Sequence, residues 1–361
     1  MTYTFTGNSY FKVLISASLI ILLYICPSVT EAKVYIDINS VGGKKLPIAV
    51  QELVRAKPLA TESPGALAEA ELIERLNEEI YATLIADLKF SGIFDYIERD
   101  AYLEDLEDSG VTARKTDFGL WRAIGTEILI KGGFNVHNGK LTAEFRLFDA
   151  VKETQLIARR YISNETDPKS VAHKFIDDVL KRLTGVKGIF STKIMYLKGQ
   201  GVSKDVFLSD YDGTRPIRLT DNNSINLSPN WSPKGDQFIY TSYMGDNPAL
   251  YMQDIQSGKV TVISNRQGIN IGGRWSPNGR QVALTISGKK SPELIVKPLN
   301  SRSKGKELTK NHAIDVSPTW SPDGRLIYYI SDIAGNPHIY VINSKGGKSR
   351  RITYKGTYHA T

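Results

Sequence analysis

The sequence predicts an α/β N-terminal domain, with a mixed sheet and two main helices, followed by an all-β propeller of WD40-like repeats. The motif Trp-Ser-Pro-x-Gly occurs at Trp231, Trp275 and Trp320, at spacings of 44 and 45 residues. A tryptophan signature with a period of about 40–45 residues is typical of propeller blades. Before this array, helical and strand-like hydrophobic patterns alternate, which indicates an α/β domain. The predicted boundaries are 33–186 for the first domain and 187–361 for the propeller.

Each repeat contains four short strand patterns separated by turn residues, as expected for one blade. The Ser-Pro-x-Gly core has the residues of a type I turn. Ser at the first position can hydrogen-bond to the backbone, Pro presets φ at the second position, and Gly stands at the fourth. Each tryptophan is expected at the end of a strand, packed between neighbouring blades. Turn chemistry also explains Asp236 and Asp323 better than metal binding or acid–base catalysis. A first blade with three strand patterns, at 192–197, 205–209 and 216–220, precedes the tryptophan repeats.

The N-terminus has the pattern of a secretory signal peptide over residues 1–32. An apolar run of 14 residues ends at Cys26, and Thr30-Glu31-Ala32 supplies small residues at the cleavage positions. A membrane anchor is the alternative, although the run is shorter than the roughly 20 residues that span a bilayer. A lipid on Cys26 is another, although bulky Ile25 precedes it. Cleavage after Ala32 predicts an exported mature chain that has no cysteine and does not span a membrane.

Within residues 33–186 the pattern predicts two long helices, one from Ser63-Pro64 to about Lys89 and one from Asp167-Pro168 to Leu183. A shorter helix is predicted at 118–124. The acidic stretch 98–108 is expected to be a solvated loop or a short helix. The predicted strands of this domain are residues 33–38, 46–50, 127–131, 141–148 and 155–161.

The sequence carries no motif that predicts catalysis. It has no Gly-x-Ser-x-Gly, Walker or His-Glu-x-x-His pattern, and its five histidines lack ligand spacing. His173 lies in an amphipathic helix and is interpreted as structural. We therefore expect no enzyme activity, no catalytic or metal-binding residues and no cofactor.

Charge is distributed unevenly between the two predicted domains. Residues 33–186 hold 21 basic and 25 acidic residues, a net charge of −4, whereas residues 187–361 hold 24 and 12, a net charge of +12. Such asymmetry indicates a directional partner surface. Export makes nucleic acid a poor candidate, so an acidic protein or an anionic envelope surface is favoured. A merely solvated basic exterior stays open as the alternative.

Several segments outside the repeats match a known family. They include 88–94, 120–121, 123–125, 148–149, 183–188 and 209–213. With the signal, the α/β domain and the repeats in this order, the chain resembles the TolB family of periplasmic propeller proteins of the Tol-Pal system. The resemblance covers residues 33–361. It implies a non-enzymatic periplasmic protein that supports outer-membrane integrity and invagination during cell division. The implied partners are Pal, TolA and other outer-membrane or peptidoglycan-associated proteins, with no nucleic acid.

The resemblance also implies two sets of binding residues. In the family, Pal contacts propeller rim loops just before the tryptophan motif, at one mouth of the channel. The matching residues here are Asn226, Leu227, Ser228, Asn270, Ile271, Gly272, Asp315, Val316 and Ser317. The Gly272-Gly273-Arg274 copy lacks the proline of the other two, so its loop could differ. The segment that engages TolA corresponds to Lys33, Val34, Tyr35, Ile36, Asp37, Ile38 and Asn39. The alternative for that segment is a plain edge strand.

Two other interpretations stay open. One is the propeller of a secreted serine peptidase whose catalytic domain lies downstream, and the other is an envelope propeller that binds a ligand in its channel. The family has six blades, whereas about four are present here, and the next tryptophan is expected near residue 364. We therefore expect that the sequence is truncated at its C-terminus, by about two blades and a closing strand.

Overall fold

The computed structural model describes residues 45–55, 66–104, 110–245, 247–287, 291–301, 303–356 and 358–359. The predicted signal peptide, the predicted strand at 33–38 and the helix start at Ser63-Pro64 lie outside these residues. The chain divides into two compact units between Gly188 and Ile189. Each unit is described by itself below.

The N-terminal unit is built on a mixed β-sheet with strand order β3-β1-β4-β5-β6. β1 pairs in parallel with β3 and β4, and β2 pairs in parallel with β4, whereas β4, β5 and β6 are antiparallel. The predicted mixed sheet is therefore confirmed. The strands are β1 (Leu46–Val50), β2 (Val54–Arg55), β3 (Phe94–Tyr96), β4 (Ile128–His137), β5 (Lys140–Asp149) and β6 (Thr154–Asn164).

Two long helices, α1 (Ala66–Ser91) and α3 (Lys169–Thr184), pack together in this unit, and α2 (Phe118–Ala123) is short. Residues at helical spacing form the buried stripe of α1, since Leu76, Ile80, Leu84 and Leu88 have no exposed surface. Burying each such side chain stabilises the fold by about 1.5–3 kcal/mol. The alternating apolar residues of β5 are also fully buried, and Phe145 stacks on Phe175 of α3 at 4.8 Å between ring centroids.

His173 links the two long helices. Its Nδ1 lies 2.7 Å from Oδ2 of Asp87 on α1, and both side chains are buried. A buried polar pair of this kind is stable only when its groups are hydrogen-bonded to each other. This position agrees with the structural role expected for His173.

The expectation that the acidic stretch 98–108 is solvated was wrong for Glu104. The Glu104 carboxylate is nearly buried, and its Oε2 accepts hydrogen bonds from Lys131 Nζ at 3.0 Å and from Trp121 Nε1 at 2.7 Å. Lys131 has no exposed surface and also donates to Thr116 Oγ1 at 3.1 Å. Burial lowers the pKa of the Lys131 ammonium, and Glu104 opposes that effect. A lysine can be buried here because Glu104 neutralises it.

The second unit consists of four antiparallel sheets, which we call blades 1 to 4 in chain order. Blade 1 has three strands and each later blade has four, as predicted. Blade 1 comprises β7 (Lys193–Gln200), β8 (Ser203–Asp210) and β9 (Ile217–Arg218). Blade 2 comprises β10 (Asn226–Trp231), β11 (Gln237–Ser242), β12 (Ala249–Asp254) and β13 (Val260–Ser264). Blade 3 comprises β14 (Ile269–Trp275), β15 (Gln281–Ser287), β16 (Glu293–Pro298) and β17 (Lys306–Glu307). Blade 4 comprises β18 (Asp315–Trp320), β19 (Leu326–Ser331), β20 (His338–Asn343) and β21 (Arg350–Arg351).

The repeated motif takes the predicted turn in all three copies. In each copy the glycine N–H donates to the carbonyl of the serine three residues earlier, at 3.0, 2.8 and 2.9 Å. Trp275 lies in a core that joins Ile239 of blade 2 to Val282 of blade 3. Trp320 packs against the core shared by blades 3 and 4, and its Nε1 donates to the Arg274 carbonyl at 3.0 Å. The predicted packing of these two tryptophans between blades is confirmed.

We predict that the substitution Glu104→Ala destabilises the N-terminal unit by about 3–5 kcal/mol, because it leaves the Lys131 ammonium buried without a counter-charge. The free energy of unfolding in urea measures the effect. Glu98→Ala is the matched control, since the Glu98 pair with Lys89 is exposed and such pairs contribute at most about 1 kcal/mol. Equal losses in the two variants would contradict a stabilising role for the buried pair.

Candidate partner-binding face

The nine residues predicted to contact a partner lie in β10, β14 and β18, the first strand of blades 2, 3 and 4. They were expected in loops, but they lie in strands, and the first two residues of each set pair with the second strand of their own blade. The pairing shifts register after Leu227, Ile271 and Val316. Each of these strands therefore carries a β-bulge, a feature that bends a strand and changes the direction of its side chains.

The bulge has the same backbone conformation in all three blades. The φ angles of Ser228, Gly272 and Ser317 are 52°, 69° and 54°, in the left-handed region. The expected departure at Gly272 is therefore absent, because glycine adopts this conformation readily. Gly273 takes the place of the proline for a different reason. A Cβ atom there would lie 2.8 Å from Ile239 Cδ1, so the packing favours glycine.

The first residue of each set of three is structural. Asn226, Asn270 and Asp315 have no exposed surface. Asn226 Nδ2 donates to the carbonyl of Lys204 in blade 1 at 2.8 Å. Asn270 Nδ2 donates to the carbonyl of Pro248 just before β12, at 3.1 Å. These side chains join a blade to the preceding one and are not available to a partner.

Asp315 makes the equivalent connection with its backbone, since its N–H donates to the Pro292 carbonyl at 3.0 Å. One carboxylate oxygen, Oδ2, accepts from Asn311 Nδ2 at 2.9 Å. The other, Oδ1, is buried and has no hydrogen-bond partner among the described residues. An aspartate at this position lacks the amide donor that the two asparagines use, and an unsatisfied buried polar atom reduces stability.

The remaining residues of the three sets are accessible. Ser228 and Ser317 are exposed, and Leu227, Ile271, Gly272 and Val316 are half-buried. They therefore form a strip of small and aliphatic groups along the bulged strands. We call this strip and the exposed apolar residues beside it the bulge face.

Sequence reasoning missed the apolar residues that flank these strands. Their side chains are exposed although their backbones are held in place. Tyr243 N–H donates to the Ile225 carbonyl at 3.0 Å, and Ile314 N–H donates to Asp332 Oδ1 at 2.7 Å. Exposed apolar groups that lie together often mark an interaction site. The feature of the sequence that could have identified them is an apolar residue within a cluster of turn-forming residues. The flanking residues are Ile225, Tyr243, Met244, Ile314 and Ile333.

The described residues show no constellation for metal binding. They contain no group of three or more His, Cys, Asp or Glu side chains that could hold a metal ion. In the same residues, no helix has the length and apolar character needed to cross a membrane. A cavity of about 700 Å³ in the N-terminal unit lies beside Val111, Phe134 and Arg160.

An α/β unit followed by bulged antiparallel blades defines a β-propeller protein with an N-terminal α/β domain. The family model described as the TolB amino-terminal domain matches residues 34–156, and the one described as the TolB beta propeller domain matches residues 180–361. The chain belongs to the TolB family.

Curated relatives and a solved structure agree with this assignment. The Tol-Pal system protein TolB of Desulfosudis oleivorans is 35% identical over 93% of this chain and 64% of its own length. That of Syntrophotalea carbinolica is 37% identical over 61% of this chain and 48% of its own length. The chain thus matches 48% to 64% of the length of these relatives. The crystal structure of TolB from Acinetobacter baumannii shares the fold, with a TM-score of 0.69 and 24% identity over 87% of this chain and 73% of that one.

We predict that Asp315→Asn stabilises the propeller unit by about 1–2 kcal/mol, because the amide supplies a donor where the Oδ1 atom has no partner. Asn270→Asp is the matched control and should lose a similar amount, since it removes the donor to Pro248. Denaturant unfolding of both variants measures the change. A destabilised Asp315→Asn protein with an unaffected Asn270→Asp protein would contradict this account of the inter-blade contact.

Proposed function

We propose that this protein is a non-enzymatic periplasmic component of the Tol-Pal system, which binds Pal through its propeller and TolA through its mature N-terminal segment. By these interactions it supports outer-membrane integrity and invagination during cell division. Family membership supports the proposal, since curated relatives carry the name Tol-Pal system protein TolB. The observation that carries the Pal interaction is the bulge face, where three strands carry the same bulge and exposed apolar residues flank two of them, β10 and β18.

The proposal gives the nine predicted Pal-binding residues two different roles. Asn226, Asn270 and Asp315 hold neighbouring blades together, so they act on Pal only by positioning the strands. The accessible residues of the strip, together with the flanking apolar residues, make the contact. Apolar groups at the centre of an interface account for much of its binding energy. Contact with Pal would cover these groups, which water otherwise surrounds.

For TolA we propose the segment Lys33 to Asn39, which lies outside the described residues. Its alternating pattern suits a strand that pairs with another chain, because main-chain hydrogen bonds then supply affinity. The rival interpretation as a peptidase propeller has no support in the first unit, since the TolB amino-terminal model covers residues 34–156.

We predict that Ile314→Glu combined with Ile333→Glu weakens Pal binding at least tenfold, because both variants place a charge on the exposed apolar surface that Pal would cover. Titration calorimetry with purified Pal measures the dissociation constant. Ile217→Glu is the control, since Ile217 is 57% exposed on β9 of blade 1, outside the bulge face. If Ile217→Glu weakens binding as much as the double variant, or the double variant binds normally, the proposed surface is wrong.

We further predict that deletion of residues 33–39 from the mature protein lowers TolA affinity at least tenfold while Pal affinity and the thermal midpoint stay the same. Surface plasmon resonance against purified TolA tests this. Replacement of the segment by seven Gly and Ser residues controls for length. Undiminished TolA affinity in the deletion would refute the role of the segment.

A further inference from the structure

Seven basic residues lie near the outer, fourth strands of blades 2, 3 and 4, which are β13, β17 and β21. Six are on these strands or in the turns next to them, and Lys297 is on β16, which pairs with β17. We call this set the basic belt. Five of its members are exposed, and Arg266 and Lys297 are half-buried. The members are Arg266, Lys297, Lys304, Lys306, Lys345, Lys348 and Arg350.

Hydrogen bonds across the blade boundaries show that the belt is continuous. Lys297 Nζ of blade 3 donates to the Ile263 carbonyl of blade 2. Arg266, which follows blade 2, donates to the carbonyl of Lys304 in blade 3. Lys306 of blade 3 donates to the Lys345 carbonyl in blade 4. The basic side chains of one blade therefore lie against the basic segment of the next.

The positive charge of the belt is not neutralised by carboxylates. No described ion pair includes a member of the belt, and the exposed Glu307 on β17 makes none with it. Blade 1 differs, because Lys193 and Arg215 pair with Asp210, and Arg218 pairs with Asp205. The net charge of +12 over residues 187–361 is thus concentrated on blades 2 to 4.

The cations of the belt repel one another. The pKa of Lys297 is lowered, first by burial and then by the nearby Arg266 guanidinium. An anion at the belt would relieve this repulsion. Because backbone carbonyls already hold three of these side chains, less conformational entropy is lost on binding.

Aliphatic groups lie beside the belt on the outer strand of blade 2. Val260 and Val262 are about half exposed on β13, the strand whose Ile263 carbonyl accepts from Lys297. Basic residues next to exposed aliphatic groups are typical of surfaces that bind anionic membranes. The cations are spread over three blades. An array of phosphates in a plane can contact all of them, whereas a single extended acidic peptide can contact fewer.

We propose that the basic belt binds the phosphate groups of an anionic lipid surface. This binding uses the outer strands of the blades, whereas the proposed Pal contact uses the bulge face. It does not depend on the Pal interaction, so either proposal can fail without the other.

The test is sedimentation of the purified full-length protein with vesicles of phosphatidylglycerol and phosphatidylcholine in a 1:1 ratio. The buffer contains about 50 mM NaCl, roughly a third of physiological ionic strength, so that charge screening is weak. Lys304, Lys306, Lys345 and Lys348 are replaced together by Gln. We expect the partition coefficient to fall about 600-fold, because each of the four basic residues contributes about fivefold near an anionic surface. Binding should also fall steeply in about 300 mM NaCl and be absent with vesicles of phosphatidylcholine alone.

A control variant removes four positive charges elsewhere on the propeller. It carries Gln at four exposed positions, Lys198, Lys204, Lys310 and Lys355. We expect its partition coefficient to stay within about threefold of the parent. Equal loss in both variants would show that net charge alone acts, and would overturn the belt. Absence of binding by the parent would also overturn it, and would leave an acidic protein as the partner of these residues. Displacement of the protein from vesicles by about 10 mM inorganic phosphate would identify a site for free phosphate rather than a lipid surface.

Discussion

The propeller unit depends on one repeated interaction, a hydrogen bond to the preceding blade from a buried residue at or next to the start of the first strand of blades 2, 3 and 4. Asn226 and Asn270 make it through side-chain amides, and Asp315 makes it through its N–H. All three residues are completely buried, so the bond forms in a low dielectric where an unpaired partner reduces stability strongly. It aligns the first strands of consecutive blades, and at the far ends of β14 and β18 Trp275 and Trp320 pack between blades. The bulge residues Ser228, Gly272 and Ser317 have similar positive φ angles in all three strands.

This arrangement explains why neighbouring residues have different roles. Within a strand, side chains alternate between the two faces, and the bulge shifts that alternation by one residue. Asn226 and Asp315, two residues before the bulge residues, therefore lie buried between blades, whereas Ser228 and Ser317 at the bulge are exposed. Two side chains that are only two residues apart in the chain can therefore have different roles, one in the core and the other on a binding surface.

Much of the fold could be predicted because it follows periodic patterns. The period of the tryptophans identified the blades, and the helical spacing of Leu76, Ile80 and Leu84 identified the buried stripe of α1. The buried polar contacts could not be predicted, since an asparagine at a strand start has the same local sequence whether it is buried or exposed. The same holds for Glu104, which lies outside the strands and whose partner Lys131 is 27 residues away on β4. The exposed apolar residues of the bulge face were missed because an isoleucine in a turn gives no periodic signal.

The central claim is that the bulge face is the surface that Pal covers. Hydrogen–deuterium exchange of the full-length protein with and without Pal tests it most directly. The account predicts slower exchange at residues 225–228, 243–244, 269–272, 314–317 and 333, with little change in the outer strands β13, β17 and β21. Slower exchange confined to those outer strands, with no change along the bulged strands, would contradict the account.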